Sequence, residues 1–164
     1  MRRMDESLNI YIETTVVSLY TARPSNNMIS AARQFQTIQW WKELLSRYKP
    51  FISVFVEEEA AKGHSEAARK RLKALEGMEY LPFNDDIEEL SLEYYRALQI
   101  PQKAEFDAYH LATATYYKMD YIVSWNFKHI ASERVRRVLY DLNNRLKFPT
   151  PVICTPEDML EASK

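Results

Sequence analysis

Four short stretches of the 164-residue chain carry residues that could share one chemistry. Glu13-Thr14-Thr15 follows the apolar run Leu8 to Ile12, and Glu57, Glu58 and Glu59 follow Phe51 to Val54. Asp107 sits inside Ala104-Glu105-Phe106-Asp107-Ala108, and Asn126 stands just past Tyr121 to Ser124. If these residues meet at one edge of a sheet, their carboxylates need a cation to be tolerable together. Oxygen ligands of this kind suit Mg²⁺ or Mn²⁺. An ion so held lowers the pKa of a bound water and stabilises charge developing on a phosphate.

Each residue also has an ordinary structural reading. A Glu just after a strand is a helix N-terminal acid favoured by the macrodipole. At most one or two of Glu57, Glu58 and Glu59 can point at a sheet edge. Asp107 in a first helical turn can be a cap, and Asn126 can be the N-cap of a helix that starts at Phe127. His110, one turn after Asp107, either supports the site or is a buried, hydrogen-bonded imidazole. His129 orients Asn126 or a phosphate, or lies on the surface. His64 follows Gly63 and reads as a turn residue. Trp125, just past a strand, is a candidate for stacking on a base, whereas Trp40-Trp41 reads as core. Arg134, Arg136 and Arg137 form a basic stripe with Lys128, either a solvated helix face or an anion contact. Cys154 reads as a small buried hydrophobe.

The elements that would position these residues alternate. Strand candidates are Leu8 to Ile12, Phe51 to Val54, Met78 to Leu81, Tyr121 to Ser124 and Pro151 to Cys154, short apolar runs suited to buried parallel strands. Helical stretches lie between them. Ala31 to Tyr48 carries Phe35, Ile38 and Trp41 or Leu45 at helical spacing, and Val56 to Ala61 and Glu66 to Leu75 are rich in good helix formers. Asp85 or Asp86 caps a helix through Ile87, Leu90, Tyr94 and Leu98. Lys103 to Lys118 and Phe127 to Leu146 follow. The last helix has Thr155 as N-cap, Pro156 at its first position and Asp158 three beyond the cap. The alternation predicts an α/β sandwich with a mostly parallel sheet. In such sheets ligands bind beyond the carboxyl ends of the strands, where the strand order reverses.

Composition removes several function classes. The two glycines, Gly63 and Gly77, cannot write a GxGxxG or a GxxxxGK[ST] loop. A small-molecule enzyme built on such a loop is therefore disfavoured. A single cysteine excludes an internal disulfide and a cysteine-based zinc site. With 22 Lys and Arg against 23 Asp and Glu, any nucleic-acid contact must come from a local patch. The start, MRRMDESLN, has no long apolar run behind it. We expect no signal peptide, no membrane span, a cytoplasmic location and one domain over residues 1–164, its core from about 8 to 160.

Taken in order, Ile10-Tyr-Ile-Glu-Thr-Thr, Ser53 with Glu59 six residues later, Asp107-Ala-Tyr-His-Leu-Ala-Thr-Ala and Tyr121-Ile-Val-Ser-Trp-Asn-Phe-Lys-His-Ile resemble PIN-domain ribonucleases. The toxins of VapBC-type toxin–antitoxin pairs are among these. The resemblance runs from about residue 8 to the Thr155-Pro-Glu-Asp ending. It implies a three-layer α/β/α domain with a five-stranded parallel sheet of order 3-2-1-4-5. It implies three or four acids that hold Mg²⁺ or Mn²⁺ and cleave RNA, single-stranded or structured. Carried over, the acids fall on Glu13, Glu59, Asp107 and Asn126, with Thr14 or Thr15 and Ser124 as supporting hydroxyls and His110 as further support. Arg23, Trp125, Lys128, Arg134 and Arg137 become candidates to guide RNA. An antitoxin protein and a second copy of the chain are the implied partners, and Tyr94-Tyr95 and Tyr116-Tyr117 could serve a dimer face.

Two positions depart from the family pattern. Glu13 stands where Asp is usual, and its extra methylene moves the carboxylate by about 1.5 Å, one carbon–carbon bond. Asn126 stands where a fourth Asp is usual and brings no charge. A branch of PIN-like proteins carries both changes. The alternative function is a PIN-like interaction module with a weakened centre, acting through an RNA or protein partner.

Overall fold

A computed structural model of the chain describes residues 7–164. Residues 1–6, on which part of the signal-peptide expectation falls, lie outside the described residues. Five parallel strands form one sheet: β1 (Asn9–Ile12), β2 (Lys49–Ser53), β3 (Glu79–Leu81), β4 (Tyr121–Val123) and β5 (Val152–Cys154). Their order is β3-β2-β1-β4-β5, as the resemblance implied. Tyr11 lies between Phe51 of β2 and Ile122 of β4, and Val123 pairs with Cys154. Ile10, Tyr11, Ile12, Ile122 and Val123 are all buried, which is why these runs are apolar throughout instead of alternating.

The helices are α1 (Thr14–Thr21), α2 (Met28–Glu43), α3 (Val54–Ala60), α4 (Ser65–Leu75), α5 (Asp85–Leu98), α6 (Glu105–Tyr116), α7 (Glu133–Leu146) and α8 (Pro156–Ala162). α1 packs on α2, α3 and α4, and α8 packs on α2, while α5 packs on α6 and α7. Right-handed crossovers assign these two groups to opposite faces of the sheet, which gives the three-layer α/β/α sandwich. The order reverses between β1 and β4, so the residues just past these two strands share the crevice where ligands of open α/β sheets bind.

Several expectations about elements are corrected. α1 was not anticipated: Thr14-Thr15-Val16-Val17 is a β-branched run of poor helix propensity, and burial of Val16 and Val17 overrides it. Val54 opens α3 instead of closing β2. α2 starts at Met28, where Asn27 accepts the Ser30 N–H at 3.0 Å. Its buried face is Gln34, Thr37 and Trp40, and Phe35 is 69% exposed. α7 starts at Glu133, capped by Ser132, and not at Phe127. The intervening segment is a turn in which Asn126 Oδ1 accepts the His129 N–H at 3.0 Å. α8 carries the expected capping box: Thr155 Oγ1 accepts from the Asp158 N–H, and the Asp158 carboxylate accepts from the Thr155 N–H. Tyr94 is fully buried and belongs to the core, not to a dimer face. Among the described residues no helix is long and apolar enough to cross a membrane.

Candidate functional site

β1 ends in Ile12, and the next residue turns its side chain into the crevice. The Glu13 N–H still donates to Val123 O at 3.1 Å, so this residue is pinned to β4 by one last sheet bond. Its carboxylate is 2% exposed on a residue basis. Oε2 accepts from Thr15 Oγ1 at 2.5 Å and from Ser124 Oγ at 2.7 Å. The two hydroxyls are themselves oriented, because Thr15 Oγ1 accepts the Trp125 N–H and Ser124 Oγ accepts the Asn126 N–H. Burial raises the Glu13 pKa; the charge of His110 and the two hydroxyls counter it in part, and the Glu59 charge adds to it.

Glu59 comes from α3, which follows β2 directly. Glu57 and Glu58 on the same run are exposed, so one acid of the three faces the crevice. Glu59 Oε1 accepts from Thr14 Oγ1 at 2.8 Å and lies 2.6 Å from His110 Nε2. Burial would raise its pKa, but the His110 contact outweighs this with help from Thr14 and Lys62, and the carboxyl is held below its usual range. Burial likewise opposes charge on His110, yet the bond to Glu59 and the charges of Glu13, Glu59 and Asp107 raise its pKa above the ordinary imidazole value. Behind His110, its Nδ1 lies 2.7 Å from the Tyr11 phenol, which is also 2.7 Å from Ser53 Oγ. A buried chain thus runs Ser53–Tyr11–His110–Glu59.

Asp107 projects from the first turn of α6 and is buried. Its Oδ2 lies 2.8 Å from His129 Nδ1. A cavity of about 510 Å³ is lined by Glu13, Thr14, Glu59, Lys62, Asp107 and Asn126, among others. The three acids share a feature. Each spends one carboxylate oxygen on protein donors, and among the described residues the other makes no hydrogen bond: Glu13 Oε1, Glu59 Oε2 and Asp107 Oδ1. Among the described residues, one ligand atom from each of Glu13, Glu59 and His110 lies within 4.8 Å of the others. Asp107 sits on the same cavity but outside that group. Hard oxygen donors left open in a buried crevice fit a divalent cation of the Mg²⁺ or Mn²⁺ type.

The remaining candidates are scattered. Asn126 lines the cavity; its Oδ1 accepts the His129 N–H at 3.0 Å, and its amide NH₂ makes no hydrogen bond among the described residues. The Trp125 indole is only 6% exposed and its Nε1 donates to Thr37 Oγ1 at 2.8 Å, so it has no free face for a base. Lys128 and Arg137 are exposed, and Arg134 Nη1 donates to Leu98 O at 3.1 Å. Arg23 is exposed beside α4. Cys154 is buried as expected. Sequence reading missed Tyr11 and the pairing of His129 with Asp107. A hydroxyl in the middle of an all-buried aliphatic strand was the available signal for Tyr11, because a buried phenol needs a partner.

A parallel sheet of this order, with Glu13 past β1 and Glu59 past β2 at its carboxyl edge, is an open α/β architecture whose ligands bind at the switch point. Residues 10–133 match the PIN domain family profile, and the chain belongs to the PIN-domain family. No curated protein matches the sequence significantly. Among solved structures, the chain is similar to one in VapBC2 from Rickettsia felis bound to a DNA fragment from their promoter. The identity is 12%, the TM-score 0.52, and the match covers 90% of this chain and 98% of that one. A tyrosyl-tRNA synthetase from Archaeoglobus fulgidus complexed with L-tyrosine aligns over 92% of this chain and 55% of its own, at 9% identity and a TM-score of 0.47.

Proposed function

We propose that this chain is a metal-dependent endoribonuclease in which Glu13, Glu59 and Asp107 hold one Mg²⁺ or Mn²⁺ ion. The observation that carries this reading is the open oxygen that each of three acids, Glu13 and Asp107 buried and Glu59 half-buried, keeps on one cavity. When bound, the ion supplies charge neutralisation at the phosphate and a lowered pKa for an attacking water. The chain's own part is positioning. Thr15 and Ser124 fix Glu13, Thr14 and His110 fix Glu59, and His129 fixes Asp107. Ser53 and Tyr11 hold His110 from behind. Preorganised groups of this kind stabilise developing charge without reorganising during the reaction. Asn126 brings no charge to the cavity it lines, and its NH₂, which has no protein partner among the described residues, serves as a donor to a phosphate oxygen.

Within this reading the chain is the toxin of a type II pair. It works in the cytoplasm as a homodimer until an antitoxin fills the cavity. Family membership supports this assignment. The test is cleavage of labelled RNA with and without Mn²⁺ by wild type and Asp107→Asn: metal-dependent cleavage in wild type alone supports the assignment, and equal cleavage by both rejects it.

One observation favours the second reading, an interaction module. The His110–Glu59 contact of 2.6 Å offers one of the acids a cationic partner from within the fold. A module of this kind binds RNA or a partner protein with the same affinity in EDTA and in Mn²⁺ and does not cleave.

A further inference from the structure

We propose that the groove between α1 and α4 is the track along which the RNA backbone reaches the acid cavity, with Arg23, Lys70 and Arg71 meeting its phosphates. This inference rests on the ribonuclease reading and gives it a direction. The groove has a volume of about 360 Å³ and is lined by Ser18, Thr21, Arg23, His64, Lys70 and Arg71, among others. It continues into the acid cavity, because Ser18 lines both. Lys62 links them too: it lines the acid cavity, and its carbonyl accepts from Arg71 Nη2 at 2.5 Å.

The fold holds the Arg71 side chain and the backbone at Arg23 in place, and Lys70 is exposed on α4. Arg71 also donates through Nε to Ala60 O at 2.9 Å, so its guanidinium is fixed at two points and keeps further N–H donors for a ligand. Arg23 follows α1 on a loop whose backbone is tied down by a buried side chain: Gln34 Nε2 donates to Ala22 O at 2.7 Å and lies 3.4 Å from Arg23 O. The acid in the lining, Glu66, is paired by Arg69 through two bonds of 2.8 and 3.2 Å. α4 starts after the N-cap His64 with no side-chain cap, and His64, Glu66 and Ala67 at this helix end line the groove, so its first-turn N–H groups have no side-chain acceptor and suit a phosphate oxygen. In a chain of net charge −1, such a local concentration of cations is what a polyanion would find.

The basic stripe on α7 differs. Arg134 and Arg136 spend donors on the carbonyls of Leu98 and Ile153, and Lys128, Arg134 and Arg137 do not line the acid cavity. The two surfaces therefore make opposite predictions for binding.

The experiment is fluorescence anisotropy of a fluorescein-labelled oligouridylate in EDTA, titrated between about 50 and 200 mM salt. The Arg23→Glu/Lys70→Glu variant is expected to bind about tenfold more weakly, with the slope of log affinity against log salt reduced by about 1.4, ~0.7 for each lost phosphate contact. Lys128→Glu/Arg137→Glu is expected to keep wild-type affinity. Lys70→Gln, a change at an exposed position, repeats the test with a slope reduced by about 0.7. Unchanged binding by the groove variants overturns the proposal, as does loss confined to the α7 variant or a wild type that does not bind at low salt. Because EDTA removes divalent ions, this result is independent of cleavage. Failure of the ribonuclease reading shows up separately, as wild-type binding in the groove without metal-dependent cleavage.

Discussion

Tyr11 Oη and His110 Nδ1 lie 2.7 Å apart, with both side chains fully buried, and on the far side of the imidazole Nε2 meets Glu59 at 2.6 Å. A residue in the centre of the sheet thereby sets the orientation of an acid on the crevice. Tyr11→Phe keeps the ring and removes the hydroxyl, which leaves Ser53 Oγ and His110 Nδ1 without their buried partner. The expected cost is about 1–3 kcal/mol, the desolvation penalty of an unsatisfied buried polar group, read as a lower urea midpoint at unchanged m-value. A loss of Mn²⁺ affinity should accompany it, measured by calorimetry.

Glu13 predicts a pH-dependent stability. Burial raises its folded pKa above the unfolded value, so the native state favours the protonated form. Stability linked to this group is present below the unfolded carboxylate pKa and is lost as pH rises through the folded pKa. Glu13→Gln carries no buried charge and its amide oxygen can still accept from Thr15 and Ser124. In EDTA the variant should therefore be more stable than wild type at neutral pH, and the difference should shrink as the pH falls toward the ordinary carboxylate range. Urea midpoints of both proteins across that range check it.

Asn126→Asp separates two roles. The carboxylate can still accept the His129 N–H, and it places an oxygen where the amide NH₂ now stands. Added negative charge near the three acids should tighten Mn²⁺ binding, by on the order of tenfold or 1.4 kcal/mol, while a lost donor weakens contact with phosphate. Calorimetric titration of metal alone reads the first effect. Equal metal affinity in the two proteins would contradict the geometry.

Cys154 should be inert. Burial chiefly, with the nearby Asp158 charge, pushes its thiol up to about 12. A chromogenic disulfide reagent at mildly alkaline pH should leave the native protein unlabelled and react fully once urea unfolds it. Rapid labelling of the native state would show that β5 opens locally.

Much of this architecture was legible because position relative to a strand end is a local property. Glu13, Glu59 and Ser124 each follow a short buried run, and the parallel sheet places all such ends on one edge. The Thr155 capping box was equally local. What failed to show depends on packing. Thr14-Thr15-Val16-Val17 favours a strand by propensity and forms α1 only because Val16 and Val17 bury against the sheet. Phe35 looked like the core face of α2, but Gln34, Thr37 and Trp40 occupy it, and two of these are polar residues with specific bonds. Trp125 looked free to stack because it follows a strand, and only the three-dimensional fold brings Thr37 beneath its indole nitrogen. The His129–Asp107 pair spans 22 residues and closes only when the turn after Asn126 replaces the expected start of a helix.

A cation held by Glu13, Glu59 and Asp107 is tested most directly by the melting temperature of wild type and Asp107→Asn across a Mn²⁺ titration. A ligand that binds only the folded state at a hundredfold excess over its dissociation constant adds about 2.7 kcal/mol of stability. A Mn²⁺-dependent rise is expected in wild type and should be strongly reduced in the variant, with both proteins melting cooperatively in EDTA. An equal rise in both, or none in wild type, would contradict a cation held by Glu13, Glu59 and Asp107.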